Sequence, residues 1–248
     1  MTVDLAIRPF LRRILGYSDA STIAVDRAEC SLQLAASRHS TLVLCGEGDL
    51  VPVAAALHRR TLGPDAPFIV CDPRRGNTAA TVRSPANRST GIEAIVAANG
   101  GTMCMRAKRL PRDFALLLDG LRHPAGDVRT SVCWGKYNDH DPLLIAPAPI
   151  VVPALRDRLD ELPQVVDEYA DEAVAQLLAP AGCFTAGDRI LALTHADTLD
   201  ELEKTTRRLV ALRMSRNTSA AAARLAMAPV SLARWAARRQ LRGLVLPR

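Results

Sequence analysis

The residues in this chain best placed to do chemistry are Gly46, Glu47, Gly48 and Asp49. They follow an apolar run, Leu42-Val43-Leu44-Cys45, and precede a helical pattern from Leu50 to Arg60. Strand, glycine turn, helix is the layout in which backbone N–H groups cradle phosphates. A working loop of that kind reads G-x-x-x-x-G-K-[ST]. Its Lys reaches the β- and γ-phosphates and its hydroxyl binds Mg²⁺. Here the glycines stop at Gly48, and no Lys, Ser or Thr stands before Arg59. The place for phosphate chemistry is present and its charged groups are missing.

Other reactive types are scattered. The six cysteines, Cys30, Cys45, Cys71, Cys104, Cys133 and Cys183, include no C-x-x-C pair. Cys45, Cys71, Cys104 and Cys133 lie in or beside apolar runs and read as small buried residues of a reducing compartment. The five His residues have no metal-ligand spacing. His58 at a helix end and His140 in a polar loop read as structural or solvated. No nucleophile–base arrangement can be defended from spacing. Neither a catalytic set, a metal nor a cofactor is expected.

Charge supplies the second signal. From Lys204 onward the chain holds 11 basic residues and no Asp or Glu, and the remainder carries 21 basic against 26 acidic groups. A mildly acidic body with a basic tail implies a polyanion partner for the tail. The 248 residues are 48% apolar and 23% charged, ordinary for a globular protein able to bury a sizeable core. No apolar run approaches the roughly 20 residues of a membrane helix. The first 13 residues lack the apolar stretch and cleavage site of a signal peptide. A cytoplasmic protein without membrane contact is expected.

The elements that must position these groups follow from periodicity. Residues 1–40 read as helix, turn, helix, with Ser21 or Asp26 capping the second helix and Ala28, Leu32 and Leu34 on its apolar face. Strands are expected at 41–45, 67–71, 102–105, 128–134 and 145–152, the last broken by prolines and so near an edge. Helices are expected after the first strand, over 91–98 and after Leu110-Pro111, with 74–89 as loop. Strands alternating with helices imply a mostly parallel α/β sheet with helices on both faces. After Pro153 the pattern is wholly helical: 157–178, 188–193, 198–214 and two further helices within 217–242.

The last two form a helix-turn-helix pattern. Thr218-Ser219 caps a short helix, Ala226 to Pro229 makes the turn, and Pro229 suits a helix start. Val230, Leu232, Trp235 and Ala236 supply packing, while Arg234 and Arg238 share a face with Arg239 beside them. Arg side chains on a second helix suit guanine edges and phosphates. Ser231, Arg234 and Arg238 would face the major groove, and Arg224 and Arg239 the phosphates.

Several segments stand in an informative order. They are Ile14-Leu15-Gly16-Tyr17-Ser18, Leu42 to Asp49, Pro67 to Cys71, Asn99-Gly100-Gly101-Thr102-Met103-Cys104-Met105, Leu110-Pro111, Val152 to Pro163, and Ala222 to Leu232. Together they resemble the sigma-54-dependent enhancer-binding transcription activators, an AAA+ domain followed by a Fis-type helix-turn-helix. Val152-Pro153-Ala154-Leu155-Arg156-Asp157-Arg158-Leu159-Asp160-Glu161-Leu162-Pro163 is similar to that family's P-L-R-E-R-x-E-D-I-P and is the most specific match. The resemblance implies an AAA+-like α/β subdomain over 1–153, a helical lid over 154–214 and the helix-turn-helix over 215–248.

The departures fall on functional positions. The loop Lys and its hydroxyl neighbour are absent. Arg106-Ala107 stands where the family's D-E pair holds Mg²⁺ and activates water, an inversion of charge. The G-A-F-T-G-A loop that touches sigma-54 is not found, and Arg83 to Ile92 is too short for it. Gly135-Lys136 replaces the sensor Asn, Asn138 to Pro142 contracts the arginine-finger segment, and the second sensor Arg aligns with Asp200. These losses together leave no group to stabilise phosphoryl transfer.

The expectation is a DNA-binding transcription regulator, at least a dimer, with a pseudo-ATPase body used for oligomerisation or partner binding. Gly46, Glu47, Gly48, Asp49 and Arg106 would then be a vestigial nucleotide site. An alternative is a protein-interaction module that co-assembles with an active AAA+ relative, or with an RNA polymerase component. A third reading keeps Gly46 and Gly48 N–H groups, facing Arg106, as a residual anion site without hydrolysis.

Overall fold

Short runs of branched, aromatic and thiol side chains build a single sheet. In the computed structural model, which describes residues 7–38, 40–81, 84–122, 126–135, 148–239 and 241, the strands are β1 (Leu42–Cys45), β2 (Phe68–Cys71), β3 (Ala86–Arg88), β4 (Gly101–Arg106), β5 (Val128–Trp134) and β6 (Ile150–Val151). Their order is β3-β2-β4-β5-β1-β6, and every ladder is parallel. Parallel strands need crossover connections, and helices supply them. These are α3 (Val51–Leu62), α4 (Gly91–Ala97) and α5 (Phe114–Arg122), preceded by α1 (Ile7–Leu15) and α2 (Asp19–Arg38). The α/β class with a mostly parallel sheet expected from the sequence is the one adopted. The segment expected to be loop, 74–89, contains the short edge strand β3. Three residues, two of them polar, are too few to show a periodic signal.

The two faces of the sheet bury different chemistry. Ile69, Cys71, Met103, Met105 and Val132 pack under Ala94 of α4 and Leu117 of α5 in an apolar core. The opposite face meets α3, where His58 hydrogen-bonds Thr102. Alternation along β4 separates them, because successive side chains point to opposite faces. The α4–β4 connection needs two glycines. Gly100 adopts φ +76°, and a Cβ on Gly101 would lie 2.0 Å from the Pro67 carbonyl oxygen. That oxygen accepts the Thr102 N–H at 2.8 Å, which starts the β2–β4 ladder.

Contacts divide the chain into two compact units, Met1–Ala154 and Leu155–Arg248. The second unit opens with 3₁₀ turns at Leu155–Asp157 and Leu159–Glu161 and continues as α6 (Leu162–Leu177), α7 (Ala186–Thr194), α8 (Leu199–Arg213), α9 (Thr218–Arg224) and α10 (Pro229–Arg238). Asp188 ties it together. Its fully buried carboxylate closes a capping box with Thr185 at the start of α7 and receives the Arg213 guanidinium from α8 at 3.0–3.1 Å. A buried carboxylate is tolerated because a bidentate cation and two capping bonds satisfy it. No described helix is long and apolar enough to cross a membrane.

Several local readings are corrected. Asp26 does not cap α2: it lies mid-helix and pairs with Arg8 at 2.7 Å. The Ser21 N–H instead donates to Ser18 Oγ, which makes Ser18 the capping residue. Leu34 is 39% exposed, whereas Ala28 and Leu32 are buried. Asn217, rather than Thr218-Ser219, caps α9 through the Ala220 N–H at 2.8 Å. Val230 is 54% exposed and does not pack with Leu232 and Trp235. The expected strand start at 145–147 and His140 lie outside the described residues, as do the replacements read at Lys136 and Asn138 to Pro142.

His58 is a core residue. Its Nδ1 meets Thr102 Oγ1 at 2.8 Å and its Nε2 meets the Ala66 carbonyl at 2.9 Å. A carbonyl only accepts, so Nε2 carries the proton and the neutral ring suffices. Burial first, then the charges of Arg59 and Arg129, hold the imidazole below its ordinary value of 6.5 despite the bond to Ala66. The unfolded chain therefore takes up a proton that the folded chain refuses. That part of the stability is complete above pH 6.5 and declines as pH falls below it. Urea midpoints should drop between pH 7.5 and 5.5 in the wild type, and His58→Gln should flatten the drop while lowering stability at pH 7.5. Equal slopes in both proteins would contradict this assignment.

Candidate functional site

The carboxyl ends of parallel strands are where α/β sheets place ligands. At that edge the chain leaves β1 through Gly46 to Asp49 and enters α3. Gly46 is required by close approach: a Cβ there would lie 2.8 Å from the Val152 carbonyl oxygen. Its N–H donates to the Trp134 carbonyl at 3.0 Å. That corrects the reading of Gly46 as an open phosphate donor, because the group is already used to hold the turn against β5. Gly48 has φ +78°, which lets the turn reverse toward α3.

Asp49 is the centre of the turn. Its Oδ1 accepts the Val51 N–H at 3.2 Å, so a carboxylate of the chain itself sits at the start of α3. The positive end of a helix favours an anion there. Across the crevice Arg106, at the end of β4, donates Nη2 to Asp49 Oδ2 at 2.8 Å and Oδ1 at 3.0 Å. Its Nη1 reaches Asp72 Oδ2 at 3.2 Å, and Arg109 reaches the same oxygen at 2.7 Å. Asp72 Oδ1 accepts the Arg74 N–H at 3.0 Å. Two guanidiniums and two carboxylates thus form one neutral cluster. Of the expected vestigial residues, the structure joins Asp49 to Arg106 directly. Glu47 and Gly48 are exposed beside them.

Electrostatics follow from this packing. The Asp72 side chain is 0% exposed and that of Arg106 16%. Burial opposes ionisation of Asp72, yet the hydrogen bond from Arg109, the Arg74 N–H and the charges of Arg109 and Arg106 hold its carboxyl below the ordinary range. Burial likewise opposes the charge of Arg106, and Asp49 and Asp72 outweigh it to raise that group. Cys104 and Cys133 lie beneath with their sulfurs 3.7 Å apart. Contact with Cys104 and then burial push the Cys133 thiol well above its ordinary value. Burial likewise pushes Cys71 up to about 11. A thiol held protonated is a poor nucleophile. Among the described residues no three His, Cys, Asp or Glu side chains converge as metal ligands.

Sequence reasoning found Asp49 and Arg106 and missed Asp72 and Arg109. The available signal was Arg106 itself. A cation at the end of a buried strand demands a nearby acid, and register places residue 72 beside it, since Cys71 pairs with Met105. In the second unit Asp200, expected to stand in place of a sensor Arg, pairs with Lys204 on its own helix at 2.5 Å.

The five residues expected to contact DNA separate into two environments. Ser231, Arg234 and Arg238 share an exposed face of α10, and Arg224 is exposed at the end of α9. Arg239 instead lies over the Trp235 ring at 4.9 Å, with Arg208 of α8 over the same ring at 5.1 Å. Leu232 and Trp235 are buried, and Ala226 takes a left-handed φ of 47° in the connection between the helices.

No protein-family model matches the chain, and no curated protein matches it. Among solved structures it is similar to NtrX from Brucella abortus. The ADP complex shares 14% identity over 95% of this chain and 72% of that one, with a TM-score of 0.49. A second NtrX structure shares 15% over 95% and 71%, also with a TM-score of 0.49. The ATP complex shares 17% over 94% and 72%, with a TM-score of 0.47.

The charge cluster has a measurable signature. Asp72→Asn should destabilise the α/β unit by about 3 kcal/mol, because two guanidiniums lose a buried counter-charge. A double-mutant cycle of Asp49→Asn and Arg106→Met should give a coupling of about 1 kcal/mol in urea unfolding, modest because Asp49 is 35% exposed. Additive effects would show that the two side chains act independently.

Proposed function

We propose that the chain is a DNA-binding transcription regulator whose α/β unit is a catalytically inactive, AAA+-like body used for oligomerisation or partner binding. The observation that carries this reading is the construction of α10. Leu232 and Trp235 anchor one side of the helix, which fixes its rotation and leaves Ser231, Arg234 and Arg238 together on an exposed side. These three stand three and four residues apart, so they lie on one helical stripe. Guanidiniums on such a stripe suit bidentate contact with guanine edges or phosphates. Arg224 adds a cation at the end of the preceding helix. Arg239 contributes chiefly by holding Trp235 and reaches phosphate only by leaving that ring.

Inactivity of the body is supported by the crevice. Phosphoryl transfer needs a cation from the loop, a carboxylate to hold Mg²⁺ and a group to orient the nucleophile. The charges here are reversed: the strand supplies Arg106 and the loop supplies Asp49. A nucleotide phosphate would have to displace Asp49 from both Arg106 and the α3 N-terminus. Association into at least a dimer follows from the resemblance to Fis-type modules.

Duplex binding by the full chain should weaken steeply with salt, with log K falling roughly 0.9 per phosphate neutralised against log salt. Arg234→Ala with Arg238→Ala should weaken binding and lower that slope. The protein should neither hydrolyse ATP above background nor gain thermal stability from ATP or ADP, with or without Mg²⁺. A chain that ignores DNA at low salt, or that turns over ATP, would refute the respective half of the reading.

A further inference from the structure

A second concentration of charge lies on the rim formed by the carboxyl ends of β2 and β4. Two turns build it, residues 72–76 and 106–113. With Glu47 and Asp49 they hold six basic groups (Arg74, Arg75, Arg106, Lys108, Arg109, Arg112) against four acidic ones (Glu47, Asp49, Asp72, Asp113), leaving a net +2. The Asp carboxylates are engaged internally. Asp72 and Asp49 meet Arg106 and Arg109, and Asp113 accepts the Gly91 and Ile92 N–H groups at 2.8 and 2.9 Å. Glu93, further along α4, is held by Asn77 at 3.1 Å. Arg74, Arg75, Lys108 and Arg112 are exposed and have no ion pair among the described residues.

The turns that carry these cations are held in place. Asn87, 2% exposed, donates its amide to the carbonyls of Asp72, Arg75 and Gly76 at 3.1–3.3 Å and accepts the Asp72 N–H. The Arg109 N–H closes the second turn on the Arg106 carbonyl at 2.9 Å. Asp72 joins the two turns, since it accepts from Arg74 on one and from Arg106 and Arg109 on the other. With the backbone already fixed, binding has only the side chains left to order.

We infer that this rim is a second DNA-contacting surface, one that grips the phosphate backbone of a duplex independently of α10. The inference rests on the reading of the chain as DNA-binding. Three of the four free cations are Arg, whose planar fork matches phosphate oxygens. The rim turns contain no aromatic side chain, so they offer no stacking platform for unpaired bases, which favours a duplex over a single strand. Leu110 is their one exposed large apolar side chain, too little to anchor an acidic protein segment, which needs buried apolar hot spots.

The test compares four full-length proteins binding one duplex across a salt series: wild type, the rim variant (Arg74→Ala, Arg75→Ala, Lys108→Ala, Arg112→Ala), the α10 variant (Arg234→Ala, Arg238→Ala) and their combination. The rim positions are exposed, so circular dichroism and melting should stay unchanged. The rim variant should lose about 0.9 of salt slope for every side chain that meets phosphate, up to about 3.6. The combined variant should lose the binding that the α10 variant retains. An unchanged slope in the rim variant overturns the inference while DNA binding through α10 stands. Binding lost in the rim variant and intact in the α10 variant keeps the inference and refutes the assignment to α10. No binding by the wild type at low salt refutes both. Displacement of the duplex from the α10 variant by poly-glutamate as readily as by unlabelled duplex, at equal charge concentration, would reassign the rim to acidic protein and overturn the inference.

Discussion

The α/β unit depends on one guanidinium held between two carboxylates. Arg106 ends a strand whose preceding five residues are buried, and an unpaired cation there would be costly. Asp72 and Asp49 remove that cost from two sides, one from the end of β2 and one from the turn after β1. The same contacts do structural work beyond charge. They tie the loop after β1 to β4 across the end of β5, give α3 an anion at its N-terminus, and bring Arg109 and Arg74 onto Asp72. Where a nucleotide site would leave room for a ligand's charge, this crevice contains cation and anion in equal number. The arrangement reverses the usual one, in which loop and helix offer positive charge and the strand offers negative.

The helical unit repeats the device in a simpler form. Asp188, with no exposed surface, is satisfied by Thr185 and Arg213. This changes how the basic tail is counted. Lys204, Arg207 and Arg213 are neutralised by Asp200, Glu203 and Asp188, and Arg208 and Arg239 flank Trp235. Among the described residues the cations left exposed, Arg216, Arg224, Arg234 and Arg238, gather on and beside α9 and α10. The formal charge of the tail overstates its reach and understates its focus.

Much of the fold was legible in the sequence because parallel strands buried on both faces read as unbroken apolar runs; β5 was placed at its observed bounds, Val128–Trp134. The errors share a cause. β3 is held by Asn87 and by its ladder to β2, which no local pattern announces. Asn217, Thr218 and Ser219 are all good cap residues, and only the extended backbone of Asn217 decides among them. Leu34 and Val230 are apolar at plausible helical spacing, but the direction in which a helix faces its neighbours is a tertiary fact.

The sequence by itself determined the class of the fold, the order of its elements apart from β3, and the absence of Lys, Ser or Thr between Gly48 and Arg59, because periodicity, glycine placement and residue identity are local properties. It also located Asp49 and Arg106 and the basic stripe of Arg234 and Arg238. Only the tertiary structure decided that Asp49 and Arg106 meet each other and that Asp72 and Arg109 complete their cluster. It alone decided that Arg239 serves Trp235, and that Arg74, Arg75, Lys108 and Arg112 share a rim. The reason is physical: charge neutralisation depends on distances between residues as much as 57 positions apart. Strand register and turn geometry set those distances, and the order of residues along the chain does not.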